Sequence, residues 1–348
     1  MSIKVLIVDD SAVIREVLSR TLGRDGDITV VGAAVDPIDA REKIKALTPD
    51  VVTLDIEMPN MNGLAFLDRL MRLHPLPVVM VSTLTTKGAS ETLLALELGA
   101  VDFVAKPSVE LSGGLEAFGE NLRQKVRAAA QSQVQGRATK SLVPPMAVQK
   151  AAAPPGALVA IGASTGGVEA IRVLLCGMPP NSPPIVIAQH MPPGFTARFA
   201  ARLDEVTQLV VVEAQDRMPL QPGHAYVAPG DCHLRVERSS GQLRCRVTQD
   251  EPASGHRPSV DVLFESVART VGPMAVGAIL TGMGRDGARG LRMMREAGSH
   301  TIGQSRSSAL VYGMPRAAFE EGAVVEQAAV EAIPARLAAA LASLRTAA

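Results

Sequence analysis

The sequence predicts an α/β chain built from two mostly parallel sheets, one after the other. Three observations carry this reading. Short apolar runs alternate with amphipathic segments through both halves. A stretch with no acidic residue, 121–168, separates the halves. Polar side chains gather just beyond the apolar runs, where an open parallel sheet collects its chemistry.

In the first half, "KVLIVDD", "ITVVGAAVD", "VVTLDIEMP", "PVVMVS" and "DFVAKP" read as strands. Segments such as "SAVIREVLSRTL" and "PIDAREKIKAL" read as the helices between them. Five strands alternating with helices imply a parallel sheet covered on both faces. Next comes "AAAQSQVQGRATKSLVPPMAVQKAAAPPG", rich in Ala, Gln and Pro and basic in character, which has the composition of a tether. The expected boundaries are a first domain over 1–127, a flexible linker over 128–156 and a second domain over 157–345. The second half opens with "ALVAIGAS", a helix, "PIVIAQH", the helix "FTARFAARLDEV" and "LVVVEAQ". A β-hairpin insertion is expected over "HAYVAPGDCHLRVERSSGQLRCRVTQ", with Ser-Ser-Gly as its turn. The alternation then resumes through "SVDVLFESVARTV", "AVGAIL" and a helix after "TGMGRDGARG", which makes this half a doubly wound sheet.

Bulk properties narrow the function. The 348 residues are 47% hydrophobic, enough for two cores. Lys plus Arg and Asp plus Glu both total 35, so no net field favours nucleic acid. Tryptophan is absent and aromatics are 3%, which gives a base-stacking surface little to work with. Cys176, Cys232 and Cys245 lack metal-ligand spacing and read as reduced thiols. The apolar run at the N-terminus ends in two acids, unlike a secretory leader, and no apolar run is long enough to cross a bilayer. A cytoplasmic protein that neither binds nucleic acid nor inserts in a membrane is expected.

At the ends of the first half's strands stand Asp9 and Asp10, then Asp55, Ser82 and Lys106. Each alone has an ordinary explanation, a helix cap or a surface cation. Together, three converging carboxylates beside a lysine call for a cation, and Mg²⁺ prefers such oxygen ligands while leaving room for phosphate. "VLIVDDSAVIR", "DVVTLDIEMPNMNG", "VVMVST" and "DFVAKP" closely resemble a response-regulator receiver domain, whose sheet is flavodoxin-like. The resemblance implies that Asp55 is the phosphoacceptor, with Asp10 and Asp55 as Mg²⁺ ligands, Asp9 adjacent and the Glu57 carbonyl assisting. It also implies that Ser82 is the switch hydroxyl, Phe103 the rotating aromatic and Lys106 the phosphate partner. Ser82 and Phe103 stand where many receivers carry Thr and Tyr.

In the second half, Ser164 lies at a tight strand-to-helix turn, "GASTG". The spelling fits a nucleophile elbow and, loosely, a glycine-rich phosphate loop. A dinucleotide site wants an acid at the end of the next strand, and Gln189-His190 stand there instead. Of the six histidines, His190 directly ends a strong strand beside Ser164's own. His74 belongs to the first half and His300 begins its strand. His224, His233 and His256 fall in the hairpin or its exit as expected surface imidazoles, with His256 the substitute base. Asp286 follows the glycine-rich turn "TGMGR", either as a helix-start acid or as the carboxylate that orients His190. The order Ser…His…Asp differs from that of α/β-hydrolases.

"IGASTGG", "QHMPPGFT", "RPSVDVLFES", "LTGMGRDGA" and "YGMPRAA" look like the CheB family of chemotaxis protein-glutamate methylesterases, over nearly the whole chain. The resemblance implies a nucleophile at Ser164, a general base and acid at His190 and an orienting carboxylate at Asp286. The implied substrates are γ-glutamyl methyl esters, and certain glutamines, on methyl-accepting chemotaxis receptors. A sensor histidine kinase is the implied phosphodonor. The N–H groups of Thr165 and Met283 are the candidate oxyanion donors, and ester hydrolysis is expected to need no cofactor.

Overall fold

A computed structural model describes residues 2–58, 62–82, 86–106, 114–134 and 154–344. The chain divides into two units, Met1–Ser141 and Leu142–Ala348. Most of the expected linker, 135–153, lies outside the described residues.

The first unit runs β1 (Ile3–Val8), α1 (Ala12–Leu22), β2 (Ile28–Ala34), α2 (Pro37–Leu47), β3 (Val51–Asp55), α3 (Gly63–Leu73), β4 (Val78–Ser82), α4 (Thr86–Glu97), β5 (Asp102–Ala105) and α5 (Gly114–Ala130). Its strands pair in parallel in the order β2-β1-β3-β4-β5. Strands β3 and β4 are buried throughout, as a sheet covered on both faces requires. The helix starts are written in the sequence. The Ser11 hydroxyl caps α1, Asp36 caps α2 ahead of Pro37, and Asn62 caps α3, each accepting backbone N–H groups. Helix α5 runs to Ala130, with Ala128 and Ala129 buried. The chain reverses direction across the sheet between β1 and β3. That switch point opens a crevice at their carboxyl ends.

The second unit runs β6 (Leu158–Ala163), α6 (Gly167–Cys176), β7 (Ile185–Gln189), α7 (Thr196–Val206), β8 (Val210–Glu213), β9 (His224–Val227), β10 (His233–Ser239), β11 (Gln242–Thr248) and α8 (Val260–Thr270). It continues with β12 (Ala275–Ile279), α9 (Ala288–Glu296), β13 (His300–Gln304), α10 (Met314–Glu320), β14 (Glu326–Ala328) and α11 (Ile333–Ser343). Seven strands form a parallel sheet in the order β14-β13-β12-β6-β7-β9-β8, and β10 with β11 forms a separate antiparallel hairpin. The switch point here lies between β6 and β12, so residues after those two strands share one crevice.

The expected hairpin insertion began too early. "HAYV" is not a hairpin arm but β9, a parallel strand between β7 and β8. Its residues Ala225, Tyr226 and Val227 are buried, and the Tyr226 hydroxyl donates to the Pro219 carbonyl at 2.8 Å while accepting the Gln221 N–H at 2.9 Å. A satisfied buried tyrosine is what a central strand tolerates.

Helix α8 lies directly on β6, and Gly162 permits it. A Cβ at that position would sit 2.1 Å from Val260 Cγ1 and 3.1 Å from Phe264 Cζ. Gly162→Ala is therefore expected to lower stability by about 1–3 kcal/mol through overpacking. An equilibrium denaturation curve checks it, and an unchanged midpoint would contradict the packing account.

Candidate active site

In the first unit, the sheet order alone brings the acids together. Asp9 leaves β1 and Asp55 ends the adjacent β3, while Lys106 follows β5. Asp9 and Asp55 are 0% and 3% exposed, and the Lys106 Nζ lies 2.9 Å from an oxygen of each. Asp10 is exposed beside them, and one oxygen from each of the three aspartates falls within a 4.8 Å group. Burial pushes the Asp55 carboxyl above its ordinary range, and the charge of Asp9 adds to this against the pull of Lys106. Burial also works against the Lys106 cation, but its bonds to Asp55 and Asp9 outweigh that and raise its pKa. A buried carboxylate pair balanced by a single ammonium, with a third acid open to solvent, is a donor set suited to a hard divalent cation.

The surrounding backbone is tightly set. The Ser11 N–H donates to Asp9 Oδ1 at 2.9 Å and the Ile56 N–H to Asp55 Oδ1 at 2.8 Å. Arg15, not singled out from the sequence, donates to the carbonyls of Asp9 and Asp10 at 2.8 and 2.9 Å. Gly63 starts α3 against the Asp55 carbonyl, where a Cβ would approach to 2.0 Å. Ser82 ends β4, buried, and its carbonyl accepts the Lys106 N–H at 2.7 Å. Phe103 is buried on β5, with the Lys125 ammonium 5.0 Å from its ring centre. Glu57 lies just after β3 and is exposed, between the buried Ile56 and Met58.

In the second unit, β6 and β7 are parallel neighbours, and Ala163 pairs with Gln189. The residues that follow, Ser164 and His190, consequently meet. His190 Nδ1 lies 3.2 Å from Ser164 Oγ, and His190 Nε2 lies 2.8 Å from Asp286 Oδ2. Asp286 comes from the turn after β12, on the other side of β6. A carboxylate at Nε2 keeps the proton there and leaves Nδ1 as the acceptor facing the serine hydroxyl.

Asp286 is 2% exposed and fully engaged. Its Oδ2 also accepts the Val260 N–H at 2.7 Å, and Oδ1 accepts the Ser259 hydroxyl at 2.8 Å and the Asp261 N–H at 3.1 Å. Burial alone would raise its pKa, but the His190 bond and the backbone donors outweigh burial and lower it. The helix whose N-terminus holds this acid is α8, not the α9 that follows Asp286 in sequence.

Two neighbours fix the serine turn. The Ser164 N–H donates to the Thr281 carbonyl at 3.0 Å, and the Thr281 hydroxyl donates to the Thr165 carbonyl at 3.0 Å. Gln189 Nε2 donates to the Ser164 carbonyl at 2.9 Å and to the His190 carbonyl at 3.2 Å, so one amide ties both segments. Gly282 passes so near that a Cβ there would lie 2.8 Å from Ser164 Cβ, which brings the backbone leading into Met283 alongside the serine.

The other histidines separate cleanly. His256 stacks on His190, ring centres 3.8 Å apart, and covers one face of the imidazole rather than replacing it. His233 is not a surface imidazole as expected: it is 0% exposed, and its Nδ1 accepts the Ser259 N–H at 3.2 Å while Nε2 faces the Glu251 carbonyl at 3.1 Å. His300 pairs with Glu326 at the amino end of β13.

These features define a class: a receiver unit followed by an α/β unit carrying a Ser-His-Asp hydrogen-bonded chain of the serine-hydrolase kind. The model of the response regulator receiver domain matches residues 5–112, and that of CheB methylesterase matches residues 159–337. The chain belongs to the CheB methylesterase family. It is 57% identical to a protein-glutamate methylesterase/protein-glutamine glutaminase of Caulobacter vibrioides, over 95% of this chain and 96% of that protein. A protein of the same description from Xanthomonas campestris is 50% identical, over 99% and 98%. Among solved structures, the CheB methylesterase catalytic domain of Thermotoga maritima is 36% identical. It covers 53% of this chain and 99% of that one, with a TM-score of 0.52. Among the described residues, no helix is long and apolar enough to cross a membrane.

Proposed function

We propose that this chain is a phosphorylation-controlled esterase that removes methyl groups from glutamate side chains of chemotaxis receptors and deamidates receptor glutamines. The observation that carries the reading is the continuous Ser164–His190–Asp286 hydrogen-bonded chain at the sheet's switch point. His190 Nδ1 takes the proton from Ser164 Oγ as that oxygen attacks the γ-carbonyl carbon. The C–O bond to methoxide breaks, and the proton on Nδ1 passes to it, releasing methanol. Water, deprotonated by the same nitrogen, then attacks the acyl carbon; the bond to Ser164 Oγ breaks, and the proton on Nδ1 returns to that oxygen. With a glutamine, ammonia leaves in place of methanol. Asp286 stays ionised and steadies the imidazolium, consistent with its lowered pKa. The Thr165 and Met283 N–H groups are the proposed donors to the oxyanion.

In the receiver, an Asp55 oxygen attacks the phosphorus of a phosphodonor, and the donor's leaving group departs. Asp9, Asp10, Asp55 and the Glu57 carbonyl would hold Mg²⁺, which when bound neutralises phosphoryl oxygens. Lys106 balances the added charge, while Ser82 and Phe103 are proposed to register it. The proposed domain limits are 1–127, 128–156 and 157–345, the kinase of the chemosensory pathway is the proposed donor, and the cytoplasm is the proposed place of action.

The receiver's role is tested by methanol release from methylated receptor membranes with Mg²⁺ and a small acyl phosphate. Asp55→Asn is expected to lose the increase that the native chain gives with the phosphodonor. An increase of equal size in the variant would place the control elsewhere.

A further inference from the structure

We propose that Asp261 is a positioning residue for Asp286, through an exchange of carboxylates between the N-termini of α8 and α9. The proposal rests on the esterase reading above. Asp286, from the turn before α9, receives the Ser259 hydroxyl and the Val260 and Asp261 N–H groups at the start of α8. Asp261, in the first turn of α8, returns the arrangement: its Oδ1 accepts the Gly287 N–H at 3.0 Å and the Gly290 N–H at 2.8 Å. Gly287 is the residue after Asp286, so the Asp261 carboxylate grips the backbone that carries the catalytic acid.

A plain capping role does not account for the residue chosen. Asp261 is 4% exposed, and its burial, with the nearby charges of Asp286 and Glu265, disfavours its ionised form. Ser259 already caps α8 with a neutral hydroxyl, and a neutral group would cap α9 at lower cost. What Asp261 adds beyond a cap is an acceptor oxygen that reaches the Gly287 N–H as well as the Gly290 N–H, and so ties the segment carrying Asp286 to the start of α8. The Gly287 N-cap of α9 has no side chain to make that bond itself.

The glycines of "RDGARG" serve the same contact. A Cβ on Gly290 would come within 2.7 Å of the Asp261 carbonyl. Gly287 sits at φ +91°, where a Cβ would lie 2.5 Å from Val260 Cγ1. The two helix starts approach this closely only because both positions lack side chains. The Asp261 side chain makes no hydrogen bond or ion pair to Ser164 or His190. Its remaining oxygen faces the Ser254 hydroxyl at 3.5 Å and Arg289 at 3.9 Å. It therefore acts through Asp286.

The test uses the full chain with methylated receptor membranes, Mg²⁺ and a small acyl phosphate, comparing native protein, Asp261→Ala and Asp261→Asn. Loosening Asp286 misplaces His190 by a fraction of an ångström, so Asp261→Ala is expected to lower kcat about 10- to 100-fold with KM near native. Among the described residues, the groups facing His190 are Asp286, Ser164 and the stacked His256. With the Asp286 bond weakened, the imidazolium is held less well. The acid limb of kcat/KM then moves to lower pH. The downfield proton signal of the His190 Nε2–H, read by NMR without substrate, moves upfield in step. Asp261→Asn keeps an oxygen for the two N–H groups and is expected to recover most of kcat and the native signal.

Native-like kcat, acid limb and proton signal in Asp261→Ala would overturn the proposal. So would equal losses in both variants with the limb and signal unmoved, which is the pattern of lost stability alone. If Asp261→Ala does not fold, Asp261→Ser carries the same comparison. A native chain that releases no methanol, yet shows the His190 signal shifting upfield in Asp261→Ala, would refute the esterase reading and uphold the positioning.

Discussion

Asp286→Asn is expected to lower the rate of ester cleavage by about 10⁴-fold while substrate affinity changes little. The carboxylate accepts four donors: His190 Nε2–H, the Ser259 hydroxyl and the Val260 and Asp261 N–H groups. An amide can place its oxygen toward only one pair. If it faces Ser259 and Asp261, its NH₂ points at His190 and reverses the imidazole tautomer. Nδ1 then carries a hydrogen toward Ser164, where the reaction needs a lone pair. Steady-state methanol release across pH checks this. A loss below tenfold would mean that Asp286 serves only to anchor α8.

Ser164→Ala is expected to have the largest effect, a fall of about 10⁵–10⁶-fold in kcat, because it removes the proposed nucleophile. The two losses are not additive. Once the nucleophile is gone, orienting the base has nothing to act on, so the Ser164→Ala, Asp286→Asn double variant is expected to match Ser164→Ala alone. A further large drop in the double variant would point to two independent routes of hydrolysis.

Much of this was legible in the sequence because open parallel sheets concentrate chemistry at strand ends. Asp9, Asp55 and Lys106, like Ser164 and His190, each follow or end an apolar run. Parallel pairing of neighbouring strands then does the assembly. Asp286 was legible for the same reason, after β12. The residues that hold these groups were not. Ser259 and Asp261 precede Asp286 by 27 and 25 positions and meet it only because α8 packs on β6 over Gly162. No spacing rule encodes such a contact, and an acid in a first helical turn has an ordinary explanation. Gln189 reads as one more strand residue until its amide is seen to tether the segments that carry Ser164 and His190.

The histidines mark a second limit. His233 sits at the start of a hairpin strand, a place that suggests exposure, yet it is buried under the α8 start and binds Ser259. His256 has an exposed neighbourhood in the sequence and still lies flat on His190. Hydrophobic pattern reports which face of an element is buried. It does not report which loop will fold back over a site. The misplaced start of the hairpin has the same origin, since a four-residue strand buried on both faces, "HAYV", reads much like a hairpin arm.

The most direct test of the whole account is methanol release from methylated receptor membranes by the full chain, native and Ser164→Ala, each with and without Mg²⁺ and a small acyl phosphate. The account predicts release by the native chain that rises with the phosphodonor and vanishes in Ser164→Ala under both conditions. Release that persists undiminished in Ser164→Ala would contradict it.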